Sequence, residues 1–548
     1  MKSEAPQNLL ASGMWQVVGT LIGSIFIWLL VVFVSQDIIG LKAKGVGILN
    51  TAYAIFLAFS LLTMGIGKAT SQRVSENISD KRVAFEHARN GTIVAILVGI
   101  IVGVGLIITS FFIGTPLTFQ SELSSIFFVI GIVMIFTGFR DGLSSNLAAV
   151  GEYDDMAKAF AINPLFQFLA GIILIILIRN PSLSLPVSLI IIVYVFGIIA
   201  QTMFLTKHFR RLWFNTQIFR LTKVDRRAFK IFRQGVYFAI TDIIPVGILG
   251  FITVIILLAF TGNYATVGSY SIILGYSLGA LTVAGFAWPL ITSVAEAYGK
   301  RDTNRIRFYL HLIAKIYFYV TFLVLAFTLG LSHGIIWTFH GEIYLQGSLD
   351  VWIPFLLVIS GFAVAALEYI LSSILLGIGK GRATAIYLGS IFLITVGFTT
   401  LFLWLNLFSS PQLNAAIGFL LGPLILLPIL PFLIKKYVGE SIPWSIGFKS
   451  LLALACTLGV AAVLLWPIWP TGALIPVTNI FVLVIMMVLI VLLFVILLVF
   501  FGSIPPEDLD LMERKAKEYG LEGIAGPLLS FFRKIMHVSP FCKLPEGK

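Results

Sequence analysis

The sequence is poor in charge. Asp, Glu, Lys and Arg make up only 11% of its 548 residues, 59% are hydrophobic, and the mean hydropathy is +1.02. Water could not solvate a folded chain of that composition, which excludes a soluble globular protein. Cysteine is scarcer still: Cys456 and Cys542 stand far apart and outside any ligand-type spacing. Neither a disulfide framework nor a zinc site is supported. The sequence also lacks a GxxxxGK run ending in Ser or Thr and an HExxH, so no ATP site or zinc-peptidase centre is indicated. No cleavable signal peptide is expected, because the start MKSEAPQNLLASG is polar and runs into an apolar stretch too long for an h-region.

What the chain does have is long apolar runs. Fourteen are read, at roughly 14–38, 46–68, 91–113, 124–150, 157–178, 186–206, 235–260, 267–294, 308–331, 351–376, 384–407, 413–434, 447–468 and 476–502. Each is long enough to cross a hydrocarbon core of about 30 Å as a helix. The runs are continuous rather than alternating, which favours helices over a barrel. The fold class is therefore an all-α polytopic membrane protein with 14 transmembrane helices.

The net charge of +12 could suggest nucleic acid, but its placement argues against that. With the N-terminus in the cytoplasm, 32 of the 37 Lys and Arg residues fall in inside segments, and only Lys42, Lys44 and Arg179 fall outside. This is the positive-inside rule, and it places both termini of a plasma-membrane protein in the cytoplasm. The basic segment 207–234 reads as a cytoplasmic linker lying on the anionic leaflet. The tail 503–548 begins PPEDLDLMERKAKEYG, and its LLSFFRKIMH (528–537) has the pattern of an interfacial helix.

The two halves resemble each other. LSSNLAAVGEYDDMAKAFAI (143–162) aligns with LSSILLGIGKGRATAIYLGS (371–390), pairing Gly151 with Gly379. MGIGKATSQRVSENISDKR (64–82) aligns with VAGFAWPLITSVAEAYGKRD (283–302), and GVGIL (45–49) with TVGSY (266–270). The expected organisation is a six-helix bundle at 1–206, the linker, a second six-helix bundle at 235–434, helices 13 and 14 at 435–502, and the tail. Six is even, so the repeats are parallel, about an axis along the membrane normal, and suit rocking-type alternating access.

On these features the chain resembles the polysaccharide transporter group of the multidrug/oligosaccharidyl-lipid/polysaccharide exporter superfamily. The resemblance covers nearly the whole chain. It rests on the 6+6+2 spans, G-x-G-I-L-N-T-A-Y (45–53), M-G-I-G-K-A-T-S-Q-R-V-S-E (64–76) and A-E-A-Y-G-K-R-D (295–302). It implies a flippase that moves polyprenyl-phosphate- or pyrophosphate-linked glycans to the outer leaflet. Glycosyltransferases and a polymerase or oligosaccharyltransferase would be its partners. Two alternatives stand beside it: a cation-coupled multidrug exporter, and a membrane glycosyltransferase or polysaccharide polymerase.

Ionisable residues inside spans are costly and mark candidate sites. Arg140 lies near mid-membrane and is the candidate phosphate ligand, with Lys68 and Arg73 at the inner end of span 2 as further substrate-binding candidates. The repeat offset places Glu368 opposite Arg140, so Glu368 or Asp141 is expected to neutralise it when cargo is absent. Asp242, beside Pro245, is the candidate for Na⁺ or proton coupling. No other cofactor is expected. Pro and Gly in GFAWPL (285–290) suggest a kink, and Trp288 or Tyr276 could stack on a sugar. The stretch 332–350, with His333, His340 and Glu342, reads as a connection.

Overall fold

A computed structural model describes residues 4–36, 40–77, 80–209, 225–244, 248–299, 301–345, 347, 350–408, 410–465, 476–518 and 522–541. Among them, every regular element is helical. In chain order the α-helices are α1 Glu4–Ser35, α2 Lys42–Glu76, α3 Lys81–Ile113, α4 Glu122–Ala149, α5 Tyr153–Ile178, α6 Val193–Phe209, α7 Arg226–Thr241, α8 Ile248–Thr261, α9 Tyr264–Ser277, α10 Ala287–Gly299, α11 Thr303–Gly330, α12 Ser332–His340, α13 Trp352–Gly377, α14 Gly381–Leu405, α15 Pro411–Leu426, α16 Ile429–Val438, α17 Trp444–Leu465, α18 Pro476–Phe500, α19 Pro506–Glu518 and α20 Glu522–Val538.

Eleven spans among the described residues are long and apolar enough to cross a membrane, and a bent pair, Tyr264–Leu281 with Val283–Ala295, makes up to twelve. The pair meets at 43°, close to the Gly- and Pro-containing stretch where a kink was expected. Leu21–Ser35 and Leu249–Thr261 are apolar but shorter. The seventh expected span is not one helix. Its first part, α7, is amphipathic and stops at Thr241, where the Asp242 N–H closes the last turn on the Phe238 carbonyl; α8 resumes at Ile248. Pro245 and most of the basic linker, 210–224, lie outside the described residues.

Two compact units form, with the boundary inside α11: Met1–Tyr309 with His340–Glu440, and Leu310–Phe339 with Ser441–Lys548. In the first unit α2 and α13 are the central helices. In their most apolar windows 72% and 78% of residues are buried, against 22% in α5, whose apolar faces meet lipid instead.

Two close approaches fix α2. Near its start, Gly47 meets Gly268 of α9, and a Cβ on Gly47 would collide with the Tyr264 carbonyl and one on Gly268 with the Ala43 carbonyl. Further along, a Cβ on Gly65 would lie 2.6 Å from the Ala239 nitrogen of α7. Ile66, Ala69, Ala95, Ile231, Phe238, Ile291 and Leu376 then close a shared apolar core around that second contact. Small residues permit these crossings and the core seals them.

The α4 and α13 ends are built alike. Gly151 has φ +87°, and Gly151 and Glu152 donate to the Ala148 and Leu147 carbonyls; Gly379 has φ +79°, and Gly379 and Lys380 donate to Leu376 and Leu375. Both are left-handed glycine caps, a conformation other residues adopt only with strain.

In the second unit Lys315 of α11 pairs with Asp508 of α19 at 3.1 Å, and Lys449 donates to the Gly502 carbonyl. Arg533 of α20 bonds Asp510 and Glu513 of α19. Leu529, Phe532 and Met536 form the buried stripe of α20, and the Phe541 ring lies 6.0 and 5.4 Å from those of Phe500 and Phe501.

Candidate functional site

Most of the charges within the first unit's interior lie on α2, α4, the end of α7 and α13; Arg89 of α3 is buried as well. Lys68 of α2 donates to Asp242 Oδ1 at 2.6 Å, and it also interacts with the Tyr369 hydroxyl of α13. Asp242 is well placed for this because α7 stops just before it and presents its side chain from the break. This ion pair joins an early helix to the first helix of the second half.

Arg140 pairs with its sequence neighbour. Its Nε and Nη2 both reach Asp141 Oδ1 at 2.7 Å, and its guanidinium lies 5.9 Å from the Phe56 ring centroid. Tyr53 interacts electrostatically with Arg140; its ring stacks on Tyr194 and meets Phe251 edge-on at 4.9 Å. Asp141 and Asp242 also feel each other electrostatically. Lys68, Asp242, Arg140 and Asp141 therefore form one neighbourhood of two cations and two anions.

Glu368 is elsewhere. It is fully buried, and its Oε1 accepts the Tyr387 hydroxyl of α14 at 2.6 Å. The same hydroxyl lies 3.3 Å from the Leu426 carbonyl, where α15 ends. Of the two partners expected for Arg140, Asp141 takes the guanidinium and Glu368 does not, because Tyr387 holds its carboxylate. Arg73 donates to Gln234 of α7 at 2.9 Å, and Gln234 donates to Gln72.

The three buried carboxylates share a feature that residue types do not reveal. Asp141 Oδ2, Asp242 Oδ2 and Glu368 Oε2 are buried without a hydrogen-bond partner among the described residues. Buried polar atoms are nearly always satisfied, so each such oxygen is a place for a proton or a cation to bind.

Another group escaped the sequence reading. His340, at the end of α12, is buried between Ser35 Oγ at 2.7 Å and the Tyr276 hydroxyl at 2.9 Å. Ser35 donates to the Val32 carbonyl, so it accepts from Nδ1, leaving Nε2 to accept from Tyr276. Burial pushes the His340 pKa down to about 3, and the ring is neutral. Tyr276 is thereby committed to α1 and His340; the side chain of Trp288 lies outside the description. The carboxylates of Glu152, Asp154 and Asp155 cluster at the start of α5, but Lys158 and His208 already answer Asp154 and Asp155.

No family model and no curated protein matches the sequence. Its fold matches solved transporters. An outward-facing multidrug resistance MATE family transporter of the MOP superfamily is 14% identical, with a TM-score of 0.62, covering 79% of this chain and 96% of that one. An inward-facing conformation of such a transporter gives 15%, 0.59, 78% and 98%. A MOP superfamily transporter from Pyrococcus furiosus, for which reverse polarity of the binding pocket suggests a different function, gives 15%, 0.61, 79% and 96%. The chain therefore shares the fold of these MATE-type transporter structures.

This corrects the expectation of a glycan flippase. Two of the solved structures that share the fold are named as multidrug resistance MATE family transporters, and the features behind the flippase expectation belong to that shared fold. Lipid-linked glycan, glycosyltransferase, polymerase and oligosaccharyltransferase partners fall with the flippase. The patterns behind that expectation, the span order and the turn sequences at 45–53 and 64–76, describe the scaffold and include no group specific to a glycan.

Proposed function

We propose that the chain is a cation-coupled exporter of small organic molecules in the plasma membrane, with both termini cytoplasmic. It works by alternating access between two six-helix halves, 1–206 and 235–434, and the helices beyond residue 435 are an addition to that core. The repeat reading is supported by the matching caps at Gly151 and Gly379 and by the mutual approach of the counterparts Gly47 and Gly268. Likeness to inward- and outward-facing transporters supports the cycle.

The observation that carries the coupling is Glu368: buried, held by Tyr387 through one oxygen, and with its other oxygen unpartnered among the described residues. A proton or Na⁺ on that oxygen changes the charge of α13. The next residue, Tyr369, interacts with Lys68 of the Lys68–Asp242 pair. Cation occupancy is thus linked to the contact that holds α2 to α7. Asp242 and Asp141 are the further coupling candidates, Lys68 and Arg140 meet the cargo, and Arg73 fastens α2 to α7 beside them.

The test is transport by the full chain in proteoliposomes under imposed proton or Na⁺ gradients, using a panel of charged dyes. Gradient-driven movement that becomes independent of the gradient in Glu368→Gln supports the reading. Gradient-driven movement unchanged in that variant removes Glu368 from the coupling.

A further inference from the structure

We propose, on the exporter reading above, that the cargo is an organic anion rather than an organic cation. In both ion pairs of the central neighbourhood the cation is the more exposed partner. The Arg140 side chain is 11% exposed against 7% for Asp141, and Lys68 is 11% against 1% for Asp242. The oxygens that the cations do not use, Asp141 Oδ2 and Asp242 Oδ2, are buried. On these exposures the neighbourhood presents a guanidinium and an ammonium more than it presents their carboxylates. Glu368, the remaining acidic group of the set, is fully buried against Tyr387 and presents no charge to an incoming cation.

Geometry separates the two kinds of cargo. An organic cation, unlike a proton or small ion on a buried second oxygen, could reach Asp141 or Asp242 only by displacing Arg140 or Lys68 and then lying beside it, which sets like charges together at low dielectric. An anion exchanges places with a carboxylate and leaves the cation paired. Arg140 is suited to that exchange. Asp141 uses a single oxygen for both Nε and Nη2, so the fork can still accept the two-oxygen edge of a carboxylate, sulfonate or phosphate. Phe56, against the guanidinium, and Tyr53 give apolar surface for an organic body.

Exchange leaves Asp141 or Asp242 without its cation in an apolar setting. A proton on the open oxygen removes that cost. Anion binding therefore takes up a proton and tightens as pH falls; an organic cation on the already ionised carboxylate takes up none.

Radiolabelled taurocholate, an organic anion, and tetraphenylphosphonium, an organic cation, serve as probes for the full chain in proteoliposomes under a proton gradient. Taurocholate is expected to accumulate and tetraphenylphosphonium not. Arg140→Gln and Lys68→Gln should each lower taurocholate uptake roughly tenfold or more, with Arg140→Lys between them and the wild type. Equilibrium binding of both probes to the wild-type protein across pH needs no variant, and there taurocholate should bind more tightly at lower pH. Accumulation of tetraphenylphosphonium that survives Arg140→Gln and is lost in Asp141→Asn overturns the anion inference and leaves the exporter standing. Movement of neither probe, nor of any dye under any gradient, by folded protein overturns both.

Discussion

Gly47 of α2 and Gly268 of α9 face each other across a contact with no room for a side chain. A Cβ on Gly47 would strike the Tyr264 carbonyl and lie 3.2 Å from the Gly268 nitrogen; one on Gly268 would strike the Ala43 carbonyl and lie 3.1 Å from the Gly47 nitrogen. Gly47→Val or Gly268→Val should force the helices apart and lower stability by about 1–3 kcal/mol. Thermal unfolding in detergent reads this. Gly105→Ala is the control: nothing lies within 4 Å of that Cβ, and helix propensity favours the change. Equal sensitivity at all three sites would count against the close crossing.

Lys68 and Asp242 are held at 2.6 Å, with the carboxylate almost wholly buried. Lys68→Ala strands that carboxylate and should cost about 3–5 kcal/mol. The double variant Lys68→Met, Asp242→Leu should restore most of the stability while transport stays lost. Recovery of both in the double variant would make the pair a packing device alone.

Glu368 and Tyr387 separate coupling from folding. Glu368→Gln keeps the volume and an oxygen for the Tyr387 hydroxyl, so unfolding should shift by less than about 1 kcal/mol. Transport in that variant should lose its response to the gradient. Tyr387→Phe removes the donor to a buried carboxylate and should cost about 1–3 kcal/mol. A Glu368→Gln variant as unstable as Tyr387→Phe would argue that the carboxylate is structural.

His340 carries a pH dependence with a definite sign. Its ring resists protonation down to about 3, whereas an unfolded histidine takes a proton near 6.5. Below about 6.5 the unfolded chain binds more protons, so stability is full above that pH and is lost as pH falls. Between pH 6.5 and 5 the loss reaches about 2 kcal/mol at most. The difference in melting temperature between the wild type and His340→Gln should shrink as pH is lowered from 8 to 5. A constant difference would mean that His340 is not held neutral.

Much of the architecture could be read from residues; of the charge pairs, only Arg140 with Asp141 was among those expected. Helical spans follow from continuous apolar runs, and the caps at Gly151 and Gly379 follow from the aligned LSS segments, because both signals are local. Which cation meets which anion depends on how helices cross. Arg140 turned to its neighbour Asp141, Glu368 found a hydroxyl on α14, and Lys68 reached Asp242 across 174 positions of sequence. The tyrosines were the overlooked signal: Tyr369 sits beside Glu368 inside an apolar run, where a phenol needs a partner as much as a carboxylate does. His340 was invisible because nothing in a short connecting stretch distinguishes a buried ring from a solvated one. The flippase reading failed because its motifs describe a scaffold, and a scaffold is indifferent to cargo.

The burial contrast between α2 or α13 and α5 has a consequence for sequence variation. Lipid accepts almost any apolar side chain, so drift is nearly free on a helix such as α5. Protein on most sides of α2 and α13 permits few exchanges, since each one disturbs a packed neighbour. Substitution should therefore be tolerated most on the lipid-facing helices and least on those two. A fold can be shared at a TM-score of 0.62 with 14% identity. The positions least open to change should be concentrated in two helices.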